Sequence, residues 1–332
     1  MTKAVRIHAN GGPEVLRFED IALPPPAADE ARVRHTAIGV NYSDVNVRRG
    51  GFYFARPLQF PLILGNEAAG VIESVGTAVT GVKPGDRVVY AGMRGEFFED
   101  TGSYAQARNV PAERLIRLPD GVSDRQAAAM MVKGFTASLI VNRMYAPKPG
   151  DAILIHAAAS GVALILVQWA RHLGATVIGT TGSEDKAQVA REHGCDHVIL
   201  YRETDFTEAV AKLAPGGVAA VYDGVGKDTF AASLKCIKPF GTAVNYGNAS
   251  GHVPPLEMLH LAPRSLKVCR PGLSSYIRNV EVMREAAAEL FDLVACGAIK
   301  IEIGATYPLA DAAAAHRAVE ARTHAGSILL VP

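Results

Sequence analysis

The spacing of hydrophobic and polar residues changes character near the middle of the chain. As far as about residue 120, short β-rich segments are broken repeatedly by Gly and Pro: 5–8, 31–38, 70–75 and, after the turn Lys83-Pro84-Gly85, 86–90. Strands of that length and spacing predict a small barrel. Ser123 then caps an Ala- and Met-rich helix over 125–131, and a helical pattern resumes over 136–144 until Pro147 and Pro149 end it.

Beyond Gly150 the rhythm is one of alternating strands and helices. Strands are predicted at 152–156, 176–180, 197–201, 219–223, 241–246 and 265–269, separated by helices at 162–173, 183–193 and 206–213 and by a segment at 229–237. Strand and helix in that order imply a parallel, doubly wound sheet. A helix at 277–296, β texture at 299–303, a helix at 309–322 and a strand at 327–331 close the chain, and this tail is expected to rejoin the first domain. No internal repeat or low-complexity segment interrupts the pattern.

Length and composition narrow the function. A chain of 332 residues is too long for one ordinary core and fits two domains. With 49% hydrophobic residues, 20% charged residues and a net charge of +1, it offers no basic run for nucleic acid or an anionic membrane, so a small-molecule partner is expected. The longest apolar run, 162–170, contains Gln168 and is too short to span a bilayer, where about 20 residues are needed. Cys195, Cys236, Cys269 and Cys296 are far apart in sequence, with neither a C-x-x-C pair nor a His spacing of the kind that clips zinc, and read as core thiols. The absence of a signal-like N-terminus and the dispersed thiols point to the cytoplasm.

The run Ala152-Ile153-Leu154-Ile155-His156-Ala157-Ala158-Ala159-Ser160-Gly161-Val162-Ala163 is a strand, a small-residue turn and a helix start. That is the context of a dinucleotide fingerprint, in which backbone N–H groups meet a pyrophosphate. Tight helix-on-strand packing would explain the same residues, and only the strands that follow favour the ligand reading. At the end of the second strand, Thr180-Thr181-Gly182-Ser183-Glu184-Asp185-Lys186 lacks the strand-end carboxylate that would hold ribose hydroxyls. Ser183 and Lys186 suit a 2′-phosphate instead, and the missing acid favours this over a plain surface-helix lysine.

These residues, with Gly11-Gly12-Pro13-Glu14-Val15-Leu16, Ala37-Ile38-Gly39-Val40-Asn41, Gly65-Asn66-Glu67-Ala68-Ala69-Gly70, Lys133-Gly134-Phe135-Thr136-Ala137, Val221-Tyr222-Asp223-Gly224-Val225-Gly226, Tyr246-Gly247-Asn248-Ala249-Ser250-Gly251 and Arg270-Pro271-Gly272-Leu273, resemble the quinone oxidoreductases of the zeta-crystallin type. These form a zinc-free branch of the medium-chain dehydrogenase/reductase superfamily, and the likeness runs over nearly the whole chain. It implies an α/β fold, a Rossmann-type doubly wound parallel sheet plus a chaperonin-10-like β-rich catalytic domain. The expected division is 1–124 for the catalytic domain, 125–266 for the NADP-binding domain and 267–332 for a return segment. A homodimer is expected.

The resemblance also implies roles. Asn41 and its neighbours to Val45, Asp44 among them, would surround the nicotinamide of NADPH with Lys133 and Thr136. Gly161 and Val162 would take the pyrophosphate, and Gly182, Ser183, Lys186 and Tyr201 the adenosine phosphate. Gly224, Tyr246, Gly247, Asn248, Val268 and Arg270 would line the rest, with Ser327 near the last strand. Tyr201 reads equally as a strand-end aromatic, and Arg270 as a surface charge. Tyr42, Asn46 and Tyr53 are the candidates to hydrogen-bond a substrate carbonyl, beside Asn41, while His35, His156 and His260 read as structural.

Two groups of residues depart from relatives. Asn41 and Asn66 stand where zinc alcohol dehydrogenases carry Cys and His, and a neutral carboxamide is a poor zinc ligand, so no metal is expected. Ser160 replaces one of the usual glycines of the phosphate turn and Ala163 another, while Asn46 and Phe52 fall where related sequences often have tyrosines. Without a Lewis acid the substrate must already be a good hydride acceptor, which favours quinones. Reduction of enones or enals by NADPH is the alternative, and a crystallin-like structural or RNA-binding role is the alternative of another class, against which the neutral charge balance argues.

Overall fold

The computed structural model describes residues 1–50, 57–93 and 101–332. The chain divides into two compact units: Met1–Phe135 with Ser274–Ala295 and Ile301–Pro332, and Thr136–Leu273 with Cys296–Lys300.

The first unit is mainly antiparallel. Strands β1 (Thr2–Ile7), β2 (Arg17–Ile21) and β4 (Leu62–Ile63) make one sheet in the order β2-β1-β4. The larger sheet is built on β3 (Glu30–Val40), which pairs antiparallel with β5 (Glu67–Val75), β7 (Ala107–Pro111) and, at the end of the chain, β16 (Ser327–Val331). Strands β6 (Arg87–Ala91) and β8 (Ile116–Arg117) extend it beyond β5, and β15 (Ile303–Pro308) lies outside β16. Along β3 the side chains of Ala31 and Val33 point into the core while Arg34 faces solvent, the period-two pattern of a half-buried strand. After register shifts at 32/33 and 35/37 the last four residues are all buried, so the strand dives into the interior as it approaches Asn41. Val5, Ile7, Val33, Ile38, Leu64, Val88, Tyr90 and Leu330 form the core of the unit.

Three expectations for secondary structure change. The two helical stretches at 125–131 and 136–144 are joined, since α2 (Asp124–Leu139) runs unbroken and ends in a wider π turn at Ile140–Met144. The helix expected over 277–296 is α8 (Val280–Ala295), which starts three residues late because Asn279 Oδ1 accepts from the N–H of Glu281 at 2.8 Å, and a short unexpected helix, α7 (Leu273–Ile277), precedes it. The β texture at 299–303 is not a strand; β15 begins at Ile303, where pairing with β16 becomes available. The last helix, α9 (Ala312–Ala321), and β16 lie where the hydrophobic pattern predicts them.

The second unit is a six-stranded parallel sheet in the order β11-β10-β9-β12-β13-β14, made of β9 (Ala152–Ile155), β10 (Thr176–Thr181), β11 (His197–Leu200), β12 (Val218–Asp223), β13 (Ile237–Asn245) and β14 (Lys267–Cys269). All six residues of β12 and three of the four in β9 are buried, as befits central strands covered on both faces. Helices α3 (Gly161–His172), α4 (Glu184–Glu192) and α5 (Phe206–Leu213) form its crossovers on this half, and Leu154, Ile178, Ile199, Val210 and Val221 pack in its core. Gln168, the polar break in the apolar run, is buried, and its amide exchanges hydrogen bonds of 3.0 and 2.8 Å with the backbone of Lys300. That pair secures the segment Cys296–Lys300 within this unit. The strand order reverses between β9 and β12, the position where doubly wound sheets take ligands at the strands' carboxyl ends. No helix among the described residues is long and apolar enough to cross a membrane.

Candidate functional site

In the first unit β3 passes directly into α1 (Tyr42–Arg49), with Asn41 as the N-cap. The Asp44 carboxylate, three residues on, accepts the Asn41 backbone N–H at 2.9 Å, which fixes where the helix starts. The Asn41 amide also bonds outside the helix. Its Nδ2 donates to Glu67 Oε1 at 2.8 Å, and its Oδ1 accepts from Lys133 Nζ at 2.9 Å. Lys133 also meets Glu67 Oε1 at 3.1 Å, and Glu67 Oε2 accepts the Val132 N–H at 2.6 Å. Gly39 makes the close approach possible: a Cβ there would stand 2.3 Å from both the Ala128 carbonyl oxygen and Glu67 Oε1.

Behind Asp44 lies a buried chain of polar groups with a single direction. The Arg48 guanidinium faces His316 Nδ1 at 3.2 Å, which makes that nitrogen the acceptor and leaves the imidazole proton on Nε2. Nε2 then donates to the Tyr104 hydroxyl at 3.1 Å, and Tyr104 donates to Asp44 at 3.1 Å. Burial, helped by the Arg48 charge, holds His316 neutral with its pKa down at about 3. Burial pushes the Asp44 carboxyl up to about 7, with the Glu67 charge adding to the rise and the bonds from Asn41 and Tyr104 opposing it. Asn66 Nδ2 donates to the other Asp44 oxygen at 3.2 Å, while Asn66 Oδ1 is buried without a partner.

The two asparagines do not fit a zinc site. Both polar atoms of the Asn41 amide are bonded to Glu67 and Lys133, and Asn66 offers one neutral oxygen. An ammonium group, Lys133 Nζ, sits against Asn41 Oδ1 where a metal ion would be repelled. Among the described residues no group of three or more His, Cys, Asp or Glu could hold a metal.

In the second unit the turn after β9 brings the backbone round to α3. Ala157 takes a left-handed φ of 51°, the Ser160 N–H closes the turn on the Ala157 carbonyl at 2.8 Å, and Ser160 becomes the N-cap of α3. Gly161 and Val162 are the first helical residues, so their N–H groups precede the intrahelical ladder. The next strand over supplies a second turn. Asp223 accepts from the N–H groups of Val225 and Gly226 at 2.7 and 3.0 Å and from the Thr229 hydroxyl at 2.8 Å, which shapes the loop carrying Gly224.

The turn after β13 carries Tyr246, Gly247 and Asn248. Its backbone is tied to the Asp223 carbonyl by the Tyr246 N–H at 2.9 Å. Arg270 donates to the carbonyl oxygens of Asn245 and Gly247, both at 3.2 Å, and to the Asn245 side chain. Asn248, Val268 and Arg270 come together around a cavity of about 280 Å³.

At the end of β10, Gly182 leads to Ser183, the exposed N-cap of α4, whose side chain makes no capping bond. The Tyr201 hydroxyl lies over Gly182, where a Cβ would come within 2.7 Å of it, and Lys186 is half-buried one turn into α4. Thr181 and Thr180 are buried, and no carboxylate stands at the strand end.

Of the remaining sequence candidates, Tyr42 and Asn46 are half-buried on α1, Thr136 is half-buried on α2, and Ser327 is buried with its Oγ donating to the Ala129 carbonyl at 2.8 Å. Tyr53 and Phe52 lie outside the described residues. Sequence reasoning did not single out Glu67 as the hub that fixes Asn41 and Lys133, nor Arg48, Tyr104 and His316 behind Asp44. The spacing of Asp44 and Arg48, four apart on one helix, was the available signal.

Comparisons with known proteins agree with this geometry. The family described as alcohol dehydrogenase GroES-like domain matches residues 27–120, and the one described as zinc-binding dehydrogenase matches residues 161–292. The quinone oxidoreductase of Salmonella typhimurium is 43% identical over 336 residues, with all of both chains covered. The 2-haloacrylate reductase of a Burkholderia species is 42% identical, covering 100% of this chain and 99% of its own. Among solved structures, Escherichia coli quinone oxidoreductase complexed with NADPH superimposes with a TM-score of 0.93 at 41% identity, over 99% of this chain and 100% of that one. Identity at that level over both full lengths, on a GroES-like domain and a Rossmann-like sheet, means that the chain belongs to the quinone oxidoreductase family of the medium-chain dehydrogenase/reductase superfamily.

Proposed function

We propose that this chain is an NADPH-dependent quinone oxidoreductase that acts without a bound metal. One observation carries the cofactor: the end of β10 has no acid for ribose hydroxyls and instead presents the uncommitted Ser183 side chain, the Tyr201 hydroxyl and Lys186. These would hold the 2′-phosphate, and Gly161 and Val162 at the start of α3 would receive the pyrophosphate. Gly224, the turn 246–248 held by Arg270, and Val268 are assigned to the rest of the dinucleotide. Asn41, Asp44, Lys133, Thr136 and Ser327 are assigned to its nicotinamide end.

When bound, NADPH supplies the hydride. The protein's own part is orientation. Glu67 and Lys133 hold both ends of the Asn41 amide, and Asp44 holds its backbone, so this residue has no rotational freedom left. Tyr42 and Asn46, with Tyr53, are the candidates to hydrogen-bond a substrate carbonyl. Because carboxamides fill the metal-ligand positions, the acceptor must be electrophilic without Lewis-acid help. Quinones meet that requirement. So does an alkene conjugated to a carbonyl, a second reading favoured by the 2-haloacrylate reductase relative.

Purified protein assayed for NADPH oxidation against a panel of simple quinones, enones and saturated aldehydes tests the reading. Quinones should turn over fastest, chelators should leave the rate unchanged, and elemental analysis should find no stoichiometric zinc. Turnover of saturated aldehydes with quinones inert would overturn it.

We also propose a cytoplasmic homodimer. Among the described residues β14 is an edge strand of the parallel sheet, and Met258 and Leu259, close before it in sequence, are 74% and 72% exposed. Such an edge invites pairing with a second copy. Sedimentation of the purified chain tests it.

A further inference from the structure

Two hydroxyl groups beside the phosphate turn are left uncommitted. Serine at a helix N-cap ordinarily accepts a hydrogen bond from an N–H of the first turn. Ser160 does not: its side chain makes no capping bond and is exposed at the start of α3. The second group is the Tyr246 hydroxyl, which is buried with no partner. Ser160 approaches it closely enough to favour the ionised phenol against the effect of burial, without a bond of ordinary geometry.

The phenol is held where it is by the fold. The Tyr246 ring lies on Gly224, where a Cβ would stand 2.8 Å from two ring carbons and 2.9 Å from Oη. The Tyr246 backbone is bonded to the Asp223 carbonyl at 2.9 Å, and the same Asp223 shapes the Gly224 loop. A buried hydroxyl fixed in this way, with its proton retained, is a donor waiting for an acceptor.

We propose that Ser160 and Tyr246 form a hydroxyl pair that binds a phosphate oxygen of the dinucleotide pyrophosphate, Tyr246 donating to Ser160 and Ser160 donating to the ligand. It rests on the reading that the chain binds NADPH, and it predicts that the two side chains act as one unit.

The test is isothermal titration of the full-length protein with NADPH and, separately, with adenosine 2′-monophosphate, which carries the 2′-phosphate without either phosphate of the pyrophosphate. Tyr246→Phe and Ser160→Ala each remove only a hydroxyl. Each should weaken NADPH binding by about 10-fold and the double variant by little more than either alone. Binding of the monophosphate should be unchanged in all three. The melting temperature of ligand-free Tyr246→Phe should be no lower than that of the wild type, because the phenol has no partner to lose. Unchanged NADPH affinity in Tyr246→Phe would overturn the proposal, as would losses that multiply in the double variant or an equal loss for the monophosphate. Failure of the wild-type protein to bind either ligand would instead remove the NADPH reading itself.

Discussion

Around Asn41, nearly every polar atom is already bonded to another part of the protein, whereas at the start of α3 and α4 the polar groups are left open. Glu67 accepts from three donors, Asp44 from three, and Arg48, His316 and Tyr104 pass one line of hydrogen bonds between them. Ser160 and Ser183, by contrast, cap their helices without using their side chains. The first arrangement stabilises a geometry, and the second is the one proposed to hold the cofactor. Disrupting the first should therefore appear as a loss of folding, and disrupting the second as a loss of affinity.

The largest effect is expected at Glu67. It is fully buried beside the buried Lys133 ammonium, so Glu67→Ala leaves that cation without its counter-charge and Asn41 without its acceptor. Breaking one side of such a pair costs about 3–5 kcal/mol. Urea unfolding of the variant should show the first unit melting well before the second. The paired change Glu67→Gln with Lys133→Met removes both charges at similar volume and should recover much of the loss. If Glu67→Ala were as stable as the wild type, the cluster would be an open site rather than a closed one.

Next in size is Lys186. A hydrogen bond to a charged group is worth about 1.5–3 kcal/mol, so Lys186→Ala should weaken NADPH binding by roughly 10- to 100-fold. NADH, which lacks the 2′-phosphate, should bind as before, and the melting temperature should not move. An equal loss for both cofactors would place Lys186 with the structural residues.

The same contrast explains what could be read along the chain. The open site is local: a strand, a turn and a helix start lie consecutively at 152–163, and the neutral end of β10 needs only seven residues to be recognised. The closed cluster is assembled from β3, α1, β5, α2 and α9, and the contact between Arg48 and His316 spans 268 positions. No periodicity encodes that. Asn41, Asp44 and Lys133 were visible through their motifs, but Glu67, which joins two of them, was visible only as the third letter of Gly65-Asn66-Glu67. The displaced strand at the chain's end has a similar cause. The apolar alternation at 299–303 is as strand-like as Ile303–Pro308, and only the position of β16 selects between them.

The smallest effect sharpens the account of the closed cluster through pH. His35 and His316 are buried and neutral, with pKa values near 4 and 3, so between those values and 6.5 the unfolded chain binds protons that the folded unit does not. Stability from these two groups is present above about pH 6.5 and is lost as pH falls towards 4. Asp44 acts in the opposite sense. With its pKa raised to about 7, the folded unit keeps a proton that the unfolded chain releases near 4, so this contribution declines as pH rises from 4 to 7. At pH 5–6 two histidines oppose one carboxyl, and stability should climb with a slope of about one proton. Asp44→Asn removes the opposing group while still offering an oxygen to the Asn41 N–H and the Tyr104 hydroxyl, so its slope should rise to about two protons. Hydrogen exchange of the β3 amides, corrected for the intrinsic dependence of exchange on pH, reads the first unit selectively. Equal slopes for the two proteins would mean that Asp44 is ionised throughout this range, its charge balanced by the line of hydrogen bonds that begins at Arg48.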